Sequence, residues 1–217
     1  MFSKLLIIAP HTDDGELGCG GTIARFIEEG KEVYYAAFSV AEKSVPEGFP
    51  KNELEIEVKR AMKVLGVPEN NLFIYRYEVR TFSYYRQDIL EELVKLKKEL
   101  EPTLIFIPSL NDLHQDHKTI AEEGCRAFKT ATLLGYEEPW NNISFKTSSF
   151  VPLEERHIKK KIDALKEYKT QRYRSYLNED FIRGLAKTRG TQINKEYAEA
   201  FEVIRWVCRA KFIIASW

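Results

Sequence analysis

The sequence predicts an α/β protein with a Rossmann-like fold, a three-layer α/β/α sandwich with a mostly parallel sheet and a mixed C-terminal cap. Short apolar runs such as Leu5–Ala9 alternate with segments of helical periodicity, the pattern of buried parallel strands and their crossover helices. A glycine-rich turn follows the first run, where such folds begin a helix. The 217 residues suit one domain, residues 1–217, because α/β folds often exceed the usual ~100–200 residues.

The first part of the chain divides into strand–helix units. The predicted strands are 5–9, 33–40, 71–79 and 104–107. The predicted helices are 20–29, 53–65 and 89–100, with a further helix after residue 117. Gly30 and Gly66 occupy the position after a helix where left-handed backbone is common. Asn52 followed by Glu55 resembles a capping box.

The second part is less regular. It predicts a strand over 148–153, helices over 155–170 and 175–186, and a strand over 201–207. The run Lys159–Lys161 is interpreted as a solvated helix face, and His157 is expected at the surface. Phe212–Trp217 is apolar for a chain end, which makes it a candidate for contact with a second copy of the chain and leaves a homo-oligomer open.

Composition argues against several classes of function. The 33 basic residues balance 33 acidic ones, so no positive field exists to gather nucleic acid or an anionic membrane. The three cysteines are odd in number and far apart, which indicates free thiols in a reducing compartment. No signal-peptide pattern and no apolar run of ~20 residues is present. These features predict a cytoplasmic protein without a membrane span.

Reactive side chains are concentrated in two loops that follow predicted strands. The first loop holds His11, Asp13 and Asp14, and the second holds His114, Asp116 and His117. Because parallel strands end at the same edge of a sheet, we expect the two loops to converge. Imidazole and carboxylate ligands with an open position for water define a catalytic zinc site. A thiol-free set also suits iron, manganese or cobalt.

The two segments resemble the motifs of a known family. His11-Thr12-Asp13-Asp14 before Leu17-Gly18-Cys19-Gly20-Gly21-Thr22, with His114-Gln115-Asp116-His117 later in the chain, is similar to the motifs of the PIG-L (LmbE-like) deacetylases. The resemblance covers residues 4–130. It implies a zinc-dependent hydrolase that removes the acetyl group from N-acetylglucosamine-type sugars or their conjugates. Thr12 replaces the family's usual proline, and Gly15 stands in place of its glutamate, with Glu16 adjacent.

The resemblance also implies a role for each site residue. The expected metal ligands are His11, Asp14 and His117, with Zn²⁺ as the expected metal. Asp13 is the expected general base, which takes a proton from the metal-activated water. His114 is the expected second catalytic group, which either steadies the oxyanion or protonates the leaving amine. Asp116 either holds the tautomer of a histidine or caps the following helix.

Other residues carry weaker signals. Arg80 follows the third strand and either contacts the substrate or is an ordinary surface arginine. Gly18–Gly21 lacks the G-x-G-x-x-G spacing of a dinucleotide site, so its glycines favour a tight turn and close helix packing. Trp140 is interpreted as a packing residue rather than a platform for a sugar, and Cys19 as a buried small residue.

Three functions remain open at the level of sequence. The first is a metal-dependent N-deacetylase, for which the partner is a small N-acetylated sugar or conjugate and residues 1–217 form one deacetylase domain. The second is a metal-dependent amidohydrolase that acts on a non-sugar amide. The third is a non-catalytic Rossmann-like nucleotide-binding module.

Overall fold

A computed structural model describes residues 2–208. The strands are β1 (Lys4–Ala9), β2 (Glu32–Ala37), β3 (Leu72–Ile74), β4 (Leu104–Pro108), β5 (Thr132–Tyr136), β6 (Ser149–Leu153) and β7 (Tyr197–Arg205). The helices are α1 (Asp14–Glu28), α2 (Glu53–Leu65), α3 (Arg86–Leu100), α4 (Gln115–Ala127), α5 (Glu155–Leu165) and α6 (Glu179–Thr191).

The strands form one sheet in the order β3-β2-β1-β4-β5-β7-β6. The pairs from β3 to β5 are parallel, whereas β7 runs antiparallel to both β5 and β6. The chain moves outward from β1 to β3 and then returns to β4 on the other side of β1. This reversal places the topological switch point between β1 and β4, where open α/β sheets form their crevice.

Alternate side chains of β1 enter two separate cores. Leu5 and Ile7 face a core shared with α1, α2, α5 and α6, whereas Leu6 and Ile8 face a core shared with α3 and α4. A strand covered on both faces must be apolar throughout, since its side chains point alternately to each side. The predicted α/β/α sandwich with a mostly parallel sheet is therefore confirmed. The two late strands expected in a mixed cap, β6 and β7, extend the same sheet, and β7 runs antiparallel to its two neighbours.

One strand was missed by the sequence analysis. β5 is short, and Gly135 within it weakens the strand signal. A Cβ at Gly135 would lie 3.2 Å from the Cα of Ser109, so the close approach of the segment after β4 favours glycine here. Residues 2–208 consequently contain five strands paired in parallel rather than the four predicted.

Several predicted element ends were also wrong. α1 begins at Asp14 rather than Gly20, and its backbone leaves helical geometry at Cys19 (φ −145°, ψ 25°). Asn52 makes no side-chain capping bond at the start of α2, so the expected capping box is absent. The predicted helix over 155–170 ends as α5 at Leu165, and the later helix and last strand are α6 and β7.

Two polar side chains expected in solvent are buried instead. His157 is 3% exposed and Lys161 6% exposed, because α5 packs directly on α1. The apolar stretch Phe212–Trp217 lies outside the described residues, so the homo-oligomer stays a prediction. Within residues 2–208, no helix combines the length and the apolar character that crossing a membrane requires.

Candidate active site

The two predicted loops line one cleft. β1 and β4 are neighbours in the sheet, so the segments that follow them meet at its carboxyl edge. The cleft has a volume of about 310 Å³. The residues of the two loops that line it are His11, Asp13, Asp14, His114 and His117. The sheet topology therefore brings together residues that are far apart in the chain.

Three ligand atoms in this cleft lie at nearly equal separations. Asp14 Oδ2 is 3.1 Å from His11 Nδ1 and 3.3 Å from His117 Nε2, and the two imidazole nitrogens are 3.3 Å apart. Ligands of one zinc ion at 2.0–2.2 Å lie roughly 3.0–3.5 Å from each other. Two other groups, His11 with His114 and His117, and Asp14 with His117 and Glu138, have ligand atoms within 4.8 Å. The compact triangle is the better candidate metal site.

A carboxylate behind each imidazole fixes its tautomer. Asp116 Oδ2 lies 3.1 Å from His11 Nε2, and Asp112 Oδ2 lies 2.9 Å from His117 Nδ1. With these outer nitrogens protonated, His11 Nδ1 and His117 Nε2 carry free lone pairs inside the triangle. Carboxylate–histidine pairs of this kind orient metal ligands and raise their basicity.

The carboxylates create a strong preference for positive charge. Burial opposes the charged form of His11, but Asp14 and Asp116 outweigh it and raise the pKa of His11 to about 9. Burial likewise opposes ionisation of Asp14, but His117 and His11 hold the pKa of Asp14 well below its usual value. A divalent cation satisfies the same field while the imidazoles remain neutral. The donor set of two imidazoles and one carboxylate therefore fits a divalent metal.

Asp13 and His114 line the cleft outside the ligand triangle. Burial and the neighbouring Asp14 carboxylate raise the pKa of Asp13 to about 6. Burial and the nearby imidazoles of His117 and His11 lower the pKa of His114 to about 4. His114 Nδ1 accepts the backbone N–H of Asp116 at 3.2 Å, so the neutral ring carries its proton on Nε2. His114 can thus donate a hydrogen bond without a positive charge.

A buried clamp holds the backbone of the first loop. The hydroxyl groups of Tyr35 and Tyr168 lie 3.1 and 2.7 Å from the carbonyl oxygen of Thr12, and both also contact the Glu16 carboxyl group. The backbone N–H of Gly15 donates to Tyr35 Oη at 3.2 Å. A Cβ at Gly15 would lie 2.5 Å from the Tyr35 ring. Both departures from the family motif, Thr12 and Gly15, thus belong to one arrangement with Tyr35, which also contacts the adjacent Glu16.

Sequence reasoning missed several residues around the site. Asp112 lies in the same segment after β4 as His114 and His117. Its position five residues before His117 was the sequence signal that could have identified it as a partner of that histidine. Glu138 follows the missed strand β5; its Oε2 lies 3.4 Å from His117 Nδ1, and its buried Oε1 has no partner within residues 2–208. Burial and the Asp14 carboxylate hold the pKa of Glu138 well above its usual value.

Of the weaker candidates, Arg80 lines the cleft and its backbone N–H donates to Asp116. Trp140 also lines the cleft, and its ring stacks on Tyr176 with centroids 3.9 Å apart. Cys19 is fully buried, as expected. Asp116 lies in the first turn of α4, and its side chain contacts His11, whereas the side chain of His114 caps the helix.

Comparison with known proteins identifies the family. The family model described as PIG-L, GlcNAc-PI de-N-acetylase, matches residues 6–128, which is more than half the chain and includes both loops. The chain belongs to the PIG-L family. This PIG-L protein is similar to the uncharacterized deacetylase YaiS of Escherichia coli, with 27% identity over 171 residues that cover 76% of this chain and 90% of YaiS.

Solved structures with related folds have different activities. The N,N′-diacetylchitobiose deacetylase of Pyrococcus horikoshii aligns with a TM-score of 0.78 at 21% identity, covering 94% of this PIG-L chain and 84% of that one. GalB, the 4-carboxy-2-hydroxymuconate hydratase of Pseudomonas putida, aligns with a TM-score of 0.78 at 17% identity, covering 96% and 99%. These likenesses show the fold, and the chemistry must be argued from the site.

Proposed function

We propose that this protein is a metal-dependent hydrolase, with Zn²⁺ as its cofactor, that removes the N-acetyl group from an N-acetylglucosamine-type sugar or sugar conjugate. The observation that carries the proposal is the triangle of His11, Asp14 and His117 beside Asp13 in an open cleft. The family description and the relatives named as deacetylases support the same reaction. The fold alone does not, because GalB shares it.

Amide hydrolysis at neutral pH needs an activated water and a group to move its proton. A divalent metal held by the three ligands would lower the pKa of a water to about 7 from 15.7. Asp13 would accept the proton of the water that attacks the acetyl carbonyl carbon, because its carboxylate lines the cleft without belonging to the triangle. The same group then delivers the proton to the nitrogen as the C–N bond breaks, and the products are a free amine and acetic acid, which ionises to acetate at neutral pH.

The carbonyl oxygen becomes an oxyanion during the attack and needs a donor. His114 supplies one through Nε2–H, because its Nδ1 is occupied by the backbone N–H of Asp116. Removal of one such donor in other enzymes costs ~10²–10³ in rate. Asp112 and Asp116 act as positioning residues that keep His117 and His11 in the tautomers the metal requires.

Acetate release and metal content, measured on the same samples, test the proposal. We expect about one zinc or iron ion per chain in protein purified without chelators and acetate release from at least one member of a panel of N-acetylated sugars. His11→Ala should lose the metal and the activity together. His157→Ala is the matched control, since this histidine is buried but contacts Glu28 and the start of α5 rather than the cleft.

Two results would favour the alternatives. If no acetate is released from any sugar of the panel but non-sugar amides are hydrolysed, a different metal-dependent amidohydrolase is favoured. A chain that binds no metal, or that keeps full activity after His11→Ala, would contradict the metal-dependent mechanism and leave the nucleotide-binding module to be tested.

A further inference from the structure

An arginine far along the chain lines the candidate catalytic cleft. Arg174 follows the short 3₁₀ helix Lys169–Gln171. Its Nε–H donates to Gln171 Oε1 at 2.8 Å, and its guanidinium carbon lies 5.7 Å from the ring centre of Tyr176. Within residues 2–208, no carboxylate lies within 4.0 Å of its guanidinium nitrogens, and its two terminal nitrogens have no hydrogen-bond acceptor.

Buried polar groups hold Arg174 in this position. Glu57 of α2 accepts hydrogen bonds from Thr170 N and Oγ1 at 3.0 and 2.6 Å, and Gln171 Nε2 donates to Thr170 Oγ1 at 3.2 Å. Glu57, Thr170 and Gln171 are all buried. Because Gln171 is fixed by this chain of bonds, the Nε edge of Arg174 is fixed as well, and the terminal N–H groups remain available to a ligand.

A second arginine, in the segment after β3, also lines this cleft. Arg80 has a φ of +68°, a left-handed conformation that is uncommon for a residue with a side chain. Its backbone N–H donates to Asp116, the carboxylate that also contacts His11. The position of Arg80 is thereby tied to the candidate metal site. Strained backbone held by its surroundings is typical of functional positions.

The charges of the cleft are unusual for this chain. Most other arginines of the described residues pair with carboxylates, as Arg25, Arg86 and Arg189 do. Among the described residues that line the cleft, the only carboxylates are Asp13 and Asp14, and both belong to the proposed catalytic machinery. The remaining lining therefore includes two arginines, Arg80 and Arg174, and neither has a carboxylate within 4.0 Å among the described residues.

We infer that Arg174, together with Arg80, binds an anionic group of the substrate, and that the preferred substrate is an N-acetylated amino sugar that carries a carboxylate or a phosphate. Guanidinium recognises both anions through paired N–H donors and stays charged at all relevant pH values. This inference rests on the proposed deacetylase function. It adds the substrate's charge, which neither the metal triangle nor Asp13 specifies.

Three probes with the same reacting sugar test the inference. They are N-acetylglucosamine 1-phosphate, a carboxylate-bearing glycoside of N-acetylglucosamine, and its neutral methyl glycoside. We expect kcat/KM to be about 10-fold or more higher for at least one anionic probe, since a hydrogen bond to a charged group contributes ~1.5–3 kcal/mol. The better anionic probe distinguishes phosphate from carboxylate recognition.

Arg174→Gln should reduce the preference for the anionic probe about 10-fold, mainly by raising its KM, because ground-state and transition-state binding are lost together. Arg172→Gln is the matched control, an exposed arginine two residues away that does not line the cleft. It should leave the preference unchanged.

Several outcomes would overturn the inference. Equal or better turnover of the methyl glycoside would reject an anionic substrate while leaving the deacetylase proposal intact. A fall in kcat of the same size on all three probes in Arg174→Gln would show that Arg174 acts on Asp13, which its charge also attracts. The absence of acetate from every N-acetylated sugar would instead remove the proposed function, and this inference with it.

Discussion

At the scale of single residues, two adjacent aspartates occupy different positions in the site. Asp14 begins α1, and its Oδ2 accepts the backbone N–H of His11 at 2.8 Å while it contacts both imidazoles of the triangle. Asp13 precedes the helix, makes no capping bond and lines the cleft. Neighbouring side chains leave the backbone in different directions, so one carboxylate can bind metal while the other faces the attacking water.

Substitution of each aspartate by asparagine should separate these roles. We expect the Asp13→Asn variant to keep its metal. Its kcat should fall about 10²–10⁴-fold, which is the usual contribution of a general base. Asp14→Asn should lose the metal, because the amide oxygen carries no charge. Elemental analysis and acetate release give the two readouts. An Asp13→Asn variant with normal turnover would refute the base assignment.

Gly15, next to the two aspartates, is a position where only glycine fits without a shift of its neighbours. We expect Gly15→Ala to destabilise the protein by about 1–3 kcal/mol, the usual effect of overpacking, since its Cβ would lie 2.5 Å from the Tyr35 ring. Gly184→Ala in α6 is the matched control, because no atom lies within 4 Å of the Cβ that it would add. That change should stabilise by about 0.5–1 kcal/mol, as removal of a helical glycine does. Chemical denaturation of both variants measures the difference, and equal effects would contradict the clamp.

At the scale of elements, a buried ion pair closes the break in α1. Where the helix leaves regular geometry at Cys19, Gly21 N and Thr22 N donate to the Glu199 carboxylate of β7 at 3.0 and 2.6 Å. Lys161 Nζ of α5 donates to Glu199 Oε1 and to the carbonyl oxygen of Leu17, both at 2.7 Å. The backbone groups freed by the break are thus satisfied by charged groups from two other elements.

Removal of one member of this pair should be costly. We expect Lys161→Met to destabilise the protein by about 3–5 kcal/mol, because it leaves Glu199 buried without its counter-charge. Lys160→Met, the exposed neighbour in the same lysine run, should change stability by no more than about 0.5 kcal/mol. Urea unfolding of both variants provides the measurement. Similar stability for the two would mean that water enters the α1 break and replaces the ammonium group.

A second contact between α1 and α5 should give a pH-dependent stability. Hydrogen bonds from Arg156 and His157 lower the pKa of Glu28 to about 2 from 4.5. A lowered pKa means that ionised Glu28 stabilises the fold above pH 4.5 and that this contribution is lost as the pH falls toward 2. The difference in Tm between wild type and Glu28→Gln should therefore shrink across this range. Glu47→Gln, an exposed residue, should show a flat difference, and a flat profile for Glu28→Gln too would contradict the assignment.

At the scale of the whole molecule, the switch point of the sheet determines where the site can form. β1 and β4 are adjacent, and their following segments supply the two halves of the ligand triangle. A metal bound there would link the β1–α1 segment to α4 across the central strands. Metal binding should consequently stabilise the entire domain and not only the two loops.

Metal removal should therefore lower the unfolding temperature. We expect chelator-treated protein to regain stability when zinc is added, by about 2.7 kcal/mol at a concentration of 100 times Kd. His117→Ala should abolish this shift, whereas His157→Ala should retain it, because His157 lies outside the cleft. Calorimetry with and without zinc provides the measurement. A zinc-dependent shift that survives in His117→Ala would place the metal elsewhere.

The sequence by itself determined the features that depend on neighbouring residues. Apolar runs marked the strands that are buried on both faces, helical spacing marked most helices, and the two histidine–aspartate segments marked the site. These features can be predicted because strand burial and metal-ligand chemistry depend on residues that lie close together in the sequence. The adjacency of His11 and His117 followed from one topological rule about the carboxyl ends of parallel strands.

Only the tertiary structure decided which polar residues are buried and what they contact. In the sequence, Lys161 is indistinguishable from the exposed lysines next to it, and only the structure shows its contact with Glu199. Arg174 belongs to no sequence motif, and only the structure shows that it lines the cleft. Glu138 was not predicted because the strand before it, β5, contains Gly135, which weakens the strand signal and is favoured by the close approach of Ser109. The burial and pairing of a charged side chain depend on the element that packs across from it, and no local pattern in the chain encodes that element.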